Sequence, residues 1–230
     1  MHTDMPEPPP AHQTNRLGDV AYEELRDRLM RGTYRPGNRL TVRSVADDLG
    51  VSSTPARDAI NRLAIGGALI YSGPKTVVVP TLTEEALREI TCVRIALESL
   101  AAEQAIRNGA GAILEQLQQF QLLINSSLDA EDYQAALAHN KDFHFSIYRL
   151  SGFDSLIGLI EGQWLRVGPS FHDLYPEFAT ERYGVRNHEM AMEAIATKDA
   201  AALRAAVESD IRDGSRSLHR AILNRKQGAR

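Results

Sequence analysis

Residues 40–70 read LTVRSVADDLGVSSTPARDAINRLAIGGALI and contain two short helix patterns separated by a tight turn. In the first pattern, over 43–49, the apolar residues fall on one helix face, and Gly50 suits the left-handed conformation that ends many helices. The second pattern can be capped by Ser52 or Ser53, has Pro55 in its first turn, where a missing N–H costs nothing, and runs to about Ile65. The stretch therefore predicts two helices joined by a turn.

The sequence on both sides of this stretch completes a small domain. Upstream, apolar residues recur at helical spacing over 17–31, and Gly32 stops the pattern. Downstream, residues 68–80 read ALIYSGPKTVVVP, which is two short β-rich runs around a turn. Helix, helix, turn, helix and hairpin in this order predict a winged helix-turn-helix over 16–80, with the hairpin as the wing.

The charge is distributed unevenly along the chain. The net charge is −4, yet residues 16–80 hold ten Lys and Arg against seven Asp and Glu, whereas 81–230 hold sixteen against twenty-one. Nine of the ten positive residues in 16–80 are Arg, the side chain suited to bidentate contacts with phosphate and guanine. The first part is therefore the part expected to meet DNA.

Several classes of protein are excluded by composition. With 43% hydrophobic and 24% charged residues the chain is expected to fold. No apolar run approaches the ~20 residues of a membrane span, and residues 1–15, MHTDMPEPPPAHQTN, lack the features of a signal peptide and predict a mobile tail. We expect a cytoplasmic protein. The single Cys92 cannot form an internal disulfide or a thiolate zinc cluster.

Residues 81–226 carry helical patterns and no β-rich run, which predicts an all-α domain. Serine, glycine, proline and short polar breaks divide it into six segments. We expect these segments to form an antiparallel helical bundle. The predicted helices cover 83–108, 112–127, 130–150, 153–167, 177–197 and 199–224.

The segment 40–70 resembles the GntR-type transcription regulators. Gly50-Val51-Ser52 stands at the turn, Thr54-Pro55 opens the third helix, and Arg57 follows at the family's spacing. A helix N-terminus offers backbone N–H groups to phosphate, and an Arg one turn further can reach a guanine edge. The residues expected to contact DNA are Arg43, Ser52, Ser53, Thr54, Arg57, Gly73 and Lys75.

Two positions depart from that family's pattern. The family usually has Arg where this chain has Ser53, and often a Gly-Arg-Gly wing where this chain has Gly73-Pro74-Lys75. Both changes remove contacts to phosphate or bases. We expect a different operator sequence or a lower intrinsic affinity, with DNA binding retained through Arg57 and Arg43.

The helical part resembles the FadR branch of the same family, whose effector-binding bundle is called FCD. Metal-binding members of that branch hold a divalent ion with an Asp or Asn and three His. The resemblance implies Asn140, His144 and His188 as ligands and places the family's third His at Asp210. Asn140 and His144 lie four residues apart and share a helix face. A carboxylate makes the site harder, less committed to zinc and open to nickel, manganese or magnesium, or the metal is lost.

Other polar residues of the helical part have more than one interpretation. The resemblance implies that Arg94 pairs with an effector carboxylate, and a buried partnership with Glu98 or Asp210 is the alternative. Trp164 and Phe143 are expected in the core. Three histidines that lack a partner at ligand spacing are expected on the surface or in a pocket, namely His139, His172 and His219.

The pattern as a whole predicts a homodimeric transcription regulator. A small organic acid would bind the helical domain and alter affinity for a palindromic operator, and the family resemblance implies relief of repression as the commoner pattern. A dimer is expected because one winged helix reads only a few base pairs. The alternatives are a metal-dependent hydrolase built on the helical bundle and an architectural DNA-binding protein that ignores ligands.

Overall fold

The computed structural model describes residues 11–175 and 177–228, and these form two compact units. The winged unit contains the described residues up to Arg28 together with Gly37–Pro80. The helical unit contains Leu29–Pro36 and the described residues from Thr81 onward. Residues 29–36, which the sequence pattern assigned to the first domain, thus pack with the second unit.

Between residues 11 and 80, the described chain holds three helices and three short strands in the expected winged helix-turn-helix order. The only element that the sequence pattern did not predict is the first strand, which has three residues and is too short for alternation to be visible. The elements are α1 (Ala11–Met30), β1 (Arg39–Thr41), α2 (Val42–Leu49), α3 (Ser53–Ile65), β2 (Ile70–Gly73) and β3 (Thr76–Val78).

Helix α1 begins earlier than the sequence pattern predicts. Its first residue is Ala11, so the predicted tail over 1–15 is wrong for residues 11–15, and residues 1–10 lie outside the described residues. No proline or glycine follows Pro10 before Gly18. Adding a turn to an existing helix avoids the cost of nucleation, which explains why α1 extends back to this point.

The ends of α2 are fixed by local hydrogen bonds. The Ser44 backbone N–H donates to Thr41 Oγ1 and the Thr41 N–H donates to Ser44 Oγ, which is a reciprocal capping box. At the other end Gly50 has φ 64° and closes the helix in the left-handed conformation. This turn sets the angle at which α3 leaves α2.

The three strands form one antiparallel sheet in the order β1-β3-β2. Leu40 pairs with Val77, and Tyr71 pairs with the same Val77 from the other side. A register irregularity follows between Tyr71 and Gly73. The hairpin therefore forms the expected wing, and β1 anchors it to the start of α2.

The helical unit is all-α, as predicted. Short 3-10 turns cover Ala110–Ile113 and Gly168–Leu174. The predicted helix over 177–197 is divided at Arg182, which has φ 50°, and that one-helix prediction is wrong because a residue in the left-handed region interrupts α-helical geometry. The helices are α4 (Glu84–Arg107), α5 (Leu114–Asp129), α6 (Tyr133–Arg149), α7 (Asp154–Val167), α8 (Glu177–Glu181), α9 (Tyr183–Ala196) and α10 (Ala200–Gly228).

The core of the helical unit lies between packed helix pairs. Helix α10 packs on α4 and α9, α5 packs on α6, and α4 packs on α7. Phe143 and Trp164 are fully buried, as predicted. No helix in the described ranges is long and apolar enough to cross a membrane.

Candidate functional site

The first turn of α3 presents three hydroxyl side chains at the protein surface. Ser52, Ser53 and Thr54 are all exposed, and Ser52 makes no side-chain hydrogen bond that caps the helix. The first backbone N–H groups of α3 therefore have no side-chain cap from this residue. Such a helix end, with its positive dipole, is suited to a phosphate oxygen.

Two cations of the winged unit point into solvent without a partner among the described residues. Arg57 on α3 is exposed, and so is Lys75 in the turn of the wing; neither forms a hydrogen bond or ion pair within the part of the chain that is described. Arg43 is 92% exposed, with only a loose 3.9 Å approach to Asp47. Gly73 ends β2 next to this turn. These side chains are available for DNA.

Arg62, also on α3, is not available in this way. Its Nη1 lies 2.8 Å from Asp19 Oδ1 and 3.6 Å from Asp58 Oδ2, and its guanidinium lies 3.8 Å from the centre of the Tyr22 ring. The hydrogen bond to Asp19 raises the pKa of Arg62. This residue joins α3 to α1 and contributes to the fold of the winged unit.

The structure brings three of the four predicted metal ligands of the helical unit together. His144 of α6, His188 of α9 and Asp210 of α10 offer ligand atoms that all lie within 4.8 Å of one another. The two Nε2 atoms are 3.1 Å apart, and His144 Nε2 lies 3.3 Å from Asp210 Oδ2. Both imidazoles are buried. We call these three residues the histidine cluster.

Hydrogen bonds outside the histidine cluster fix which imidazole nitrogens carry protons. Gln121 donates from Nε2 to Asn125, so its Oε1 accepts from His188 Nδ1 at 2.7 Å. Tyr148 donates its hydroxyl to Glu98, so its oxygen accepts from His144 Nδ1 at 3.2 Å. Each imidazole therefore turns an Nε2 lone pair toward the other and toward Asp210.

This polarity fits a bound cation. Two nitrogen lone pairs and a carboxylate that face one another at about 3 Å repel unless a positive charge lies between them. A proton on His144 meets that need, and so does a divalent metal ion. Burial lowers the pKa of His188 to about 3, which keeps its imidazole neutral and able to ligate. The donor set of two imidazoles and a carboxylate is one that divalent transition metals accept.

The fourth predicted ligand, Asn140, lies beside the histidine cluster. It lines a cavity of about 40 Å³ together with His144 and Asp210. Within the described residues its amide makes no hydrogen bond, so it is free to face an occupant of this space. Asp210 lies at the same wall; burial opposes its ionisation, but its pairing with His144 lowers the pKa of Asp210 overall.

Arg94 reaches the same cavity but is already paired. It donates from Nε to Glu98 Oε1 at 2.6 Å and from Nη2 to Glu98 Oε2 at 3.2 Å. Its guanidinium also lies 4.9 Å from the Trp164 ring centre and 5.7 Å from that of Phe171. The alternative partnership with Glu98 thus exists in the structure. A ligand carboxylate at Arg94 would share the guanidinium with Glu98.

Some functional residues were not found from sequence. Gln121 and Tyr148 orient the two imidazoles, yet neither belongs to a ligand pattern. Tyr148 stands four residues after His144, a helical spacing that could have signalled contact. Gln121 lies on α5, and only the packing of α5 brings it to His188. Among the other histidines, His172 is half-buried, and burial lowers its pKa.

Comparison with known proteins assigns both units. The family described as bacterial regulatory proteins, gntR family, matches residues 17–79, and the FCD domain matches residues 89–213. The chain belongs to the GntR family. It is a transcriptional regulator in which an FCD effector domain follows the winged unit in the sequence.

Individual members of the GntR family align over most of the chain. The HTH-type transcriptional regulator McbR of Escherichia coli (strain K12) is 31% identical over 178 residues, which are 76% of this chain and 80% of McbR. The gluconate operon transcriptional repressor of Bacillus subtilis (strain 168) is 29% identical over 191 residues, 79% of this chain and 76% of that protein. The solved structure of E. coli McbR superposes with a TM-score of 0.81 at 27% identity, covering 89% of this chain and 97% of that one.

Proposed function

We propose that this GntR regulator is a homodimer that binds a palindromic operator and is released from it by a small carboxylate effector. In this proposal α3 enters the major groove, Arg57 contacts a base edge, and the first turn of α3 contacts phosphate. Repression is supported by the name of one relative, the gluconate operon transcriptional repressor of Bacillus subtilis. The protein works in the cytoplasm and acts by binding, with no reaction assigned to it.

The observation that carries the effector part of the proposal is the polarity of the histidine cluster. Two Nε2 lone pairs and the Asp210 carboxylate converge, and Asn140 adds an unpartnered amide at the same cavity. We assign these four residues as the ligands of one divalent ion, zinc, nickel or manganese. A bound ion supplies a positive centre that accepts a carboxylate oxygen.

Arg94 is assigned the second contact to the effector. The guanidinium is held by Glu98 and lies against two aromatic rings, so its direction is fixed before a ligand arrives. A fixed cation loses little freedom on binding. Arg94 would therefore orient the carboxylate, and the aromatic wall would exclude water from it.

Metal binding is tested on protein purified without chelator. We expect one divalent ion per chain by elemental analysis, and a thermal shift of the helical unit when Zn²⁺, Ni²⁺ or Mn²⁺ is added to stripped protein. The double variant His144→Ala/His188→Ala should lose both effects and keep DNA binding. The matched control is His139→Ala/His219→Ala, two histidines outside the cluster, which should retain the ion.

Thermal-shift measurements with metal ions and with small organic acids also separate the proposal from its alternatives. An architectural DNA-binding protein would show no ligand-specific stabilisation from a panel of small organic acids. A protein that carries no metal and gains no stability from any of these ions would refute the metal assignment and leave a polar pocket that binds its effector directly. Affinity for the ion should fall in acid, because ligation needs neutral imidazoles and an ionised carboxylate.

A further inference from the structure

Beyond its first turn, the exposed face of α3 offers few side chains that can still bind. Asp58 and Arg62 are engaged with each other at 3.6 Å, and Arg62 is also held by Asp19. Arg57 and Asn61 are both exposed and stand four residues apart, so they lie one turn apart on the same face of the helix. Whatever Arg57 contacts, Asn61 is next to it.

Among the residues that the structure describes, the Asn61 side chain has one hydrogen bond, and it comes from the wing. The Tyr71 hydroxyl donates to Asn61 Oδ1. Tyr71 is 51% exposed, so this contact forms at the surface rather than in the core. An exposed amide would otherwise rotate freely in water. The wing therefore holds the amide of a recognition-helix residue in one orientation.

The position of Tyr71 is itself fixed by the sheet. Its backbone pairs with Val77 on β3, and the register irregularity begins directly after it, before Gly73. Its side chain and Asn61 line a cavity of about 100 Å³ between α3 and the wing, and Arg57 and Lys75 line the same space. The Tyr71 hydroxyl thus reaches α3 from strand β2, whose backbone is held by its pairing with β3.

The chemistry of a held asparagine amide matches one base. The Tyr71 hydroxyl occupies one lone pair of Asn61 Oδ1, which leaves a second lone pair and both Nδ2 hydrogens free. Adenine presents an N7 acceptor and an N6 donor in the major groove, and an asparagine amide binds both at once. We propose that Asn61 reads an adenine next to the base pair contacted by Arg57, and that Tyr71 is a positioning residue for this contact.

This inference rests on the proposed binding of α3 in the major groove and adds a specific base and two specific residues to it. A tyrosine that holds the amide reduces the freedom lost when DNA binds. Its effect should appear in base preference at one position of each half-site. General attraction to DNA should not change, because neither side chain is charged.

The test is selection of binding sites from a randomised duplex pool with the full-length protein. We compare wild type with Asn61→Ala, Tyr71→Phe and their double variant. The control is Ile70→Ala, which alters the neighbouring 54% exposed residue of the wing. Circular dichroism and the salt dependence of binding to one fixed duplex show that the fold and the phosphate contacts persist.

Wild type and the control should select adenine at one position of each half-site, by roughly 5- to 150-fold over other bases. Asn61→Ala should lose that preference alone. Tyr71→Phe should weaken the same preference by a smaller factor and add nothing in the double variant, which a merely structural role would not produce.

Three outcomes would overturn the inference. If Asn61→Ala selects the same sequences as wild type, Asn61 does not contact a base. If Asn61→Ala binds all sequences more weakly by the same factor, its role is structural. A Tyr71→Phe pattern identical to wild type removes the positioning role. A variant Asn61→Ser replaces Asn61→Ala should the latter fail to fold. If Arg57→Ala abolishes selection while Asn61→Ala leaves it unchanged, the proposed function stands and only this inference fails.

Discussion

The buried imidazole of His188 should make the helical unit less stable in mild acid, and replacing it should remove that effect. Burial lowers its pKa to about 3 from the ordinary 6.5. Between about pH 6.5 and pH 3 the imidazole of His188 is therefore protonated in the unfolded chain and neutral in the folded chain. Stability contributed by a neutral His188 is complete above about pH 6.5 and is lost progressively as pH falls toward 3.

The size of the effect follows from those two pKa values. Between pH 7 and pH 5 the difference in proton binding lowers the free energy of unfolding by about 2 kcal/mol. The pKa of Asp210 is lowered from 3.8, so the ionisation of this neighbour matters only below that window. Burial also lowers the pKa of His172, and its contribution has the same sign and remains in a His188 variant.

The assay uses the single tryptophan of the chain. Trp164 is 1% exposed in the core of the helical unit, so its fluorescence during denaturant titration reports that unit alone. Wild type, His188→Gln and the exposed-residue control His219→Gln are titrated with chelator at pH 7 and pH 5. Wild type and the control should lose about 2 kcal/mol more than His188→Gln on acidification. Equal losses in all three proteins would refute the reasoning.

Three further predictions concern other residues. Arg57→Ala should lose about 1–3 kcal/mol of discrimination between operator and random duplex with an unchanged circular dichroism spectrum; undiminished discrimination would contradict the position given to α3. Glu98→Gln leaves Arg94 buried without its charged partner and should destabilise the helical unit by about 3–5 kcal/mol, whereas Glu103→Gln, which breaks the exposed pair with Arg204, should cost much less; equal costs would contradict this. The protein should sediment as a dimer, and its DNA affinity should fall steeply with salt; a monomer with salt-independent binding would contradict both.

The winged unit could be predicted closely because its signals are local. Pro55 fixes φ at its own position, whereas Gly50 and the pair Gly66-Gly67 permit the left-handed backbone that ends a helix, so the helix ends are readable from sequence. The start of α1 was not predicted, because Ala11–Asn15 contains no signal for or against a helix and forms one only by extension. The break at Arg182 was not predicted either, because no sequence pattern indicates an arginine in the left-handed region.

The histidine cluster was predicted only in part from residue spacing, because its members lie on different helices that are far apart in the sequence. His144 and Asn140 share one helix, so their proximity follows from spacing. His188 and Asp210 were placed by the family resemblance rather than by the pattern of this sequence. The partners that fix the two imidazoles, Gln121 among them, depend on how α5 and α9 pack, which residue spacing does not encode.

The small cavity beside Asn140 has a consequence for how fast a ligand can enter. Its volume of about 40 Å³ compares with the roughly 300–1,000 Å³ of pockets that hold small molecules. An organic acid can therefore enter only after side chains that line the cavity have moved. Opening then precedes association, so the observed rate of effector binding should level off at high effector concentration, at the rate at which the cavity opens.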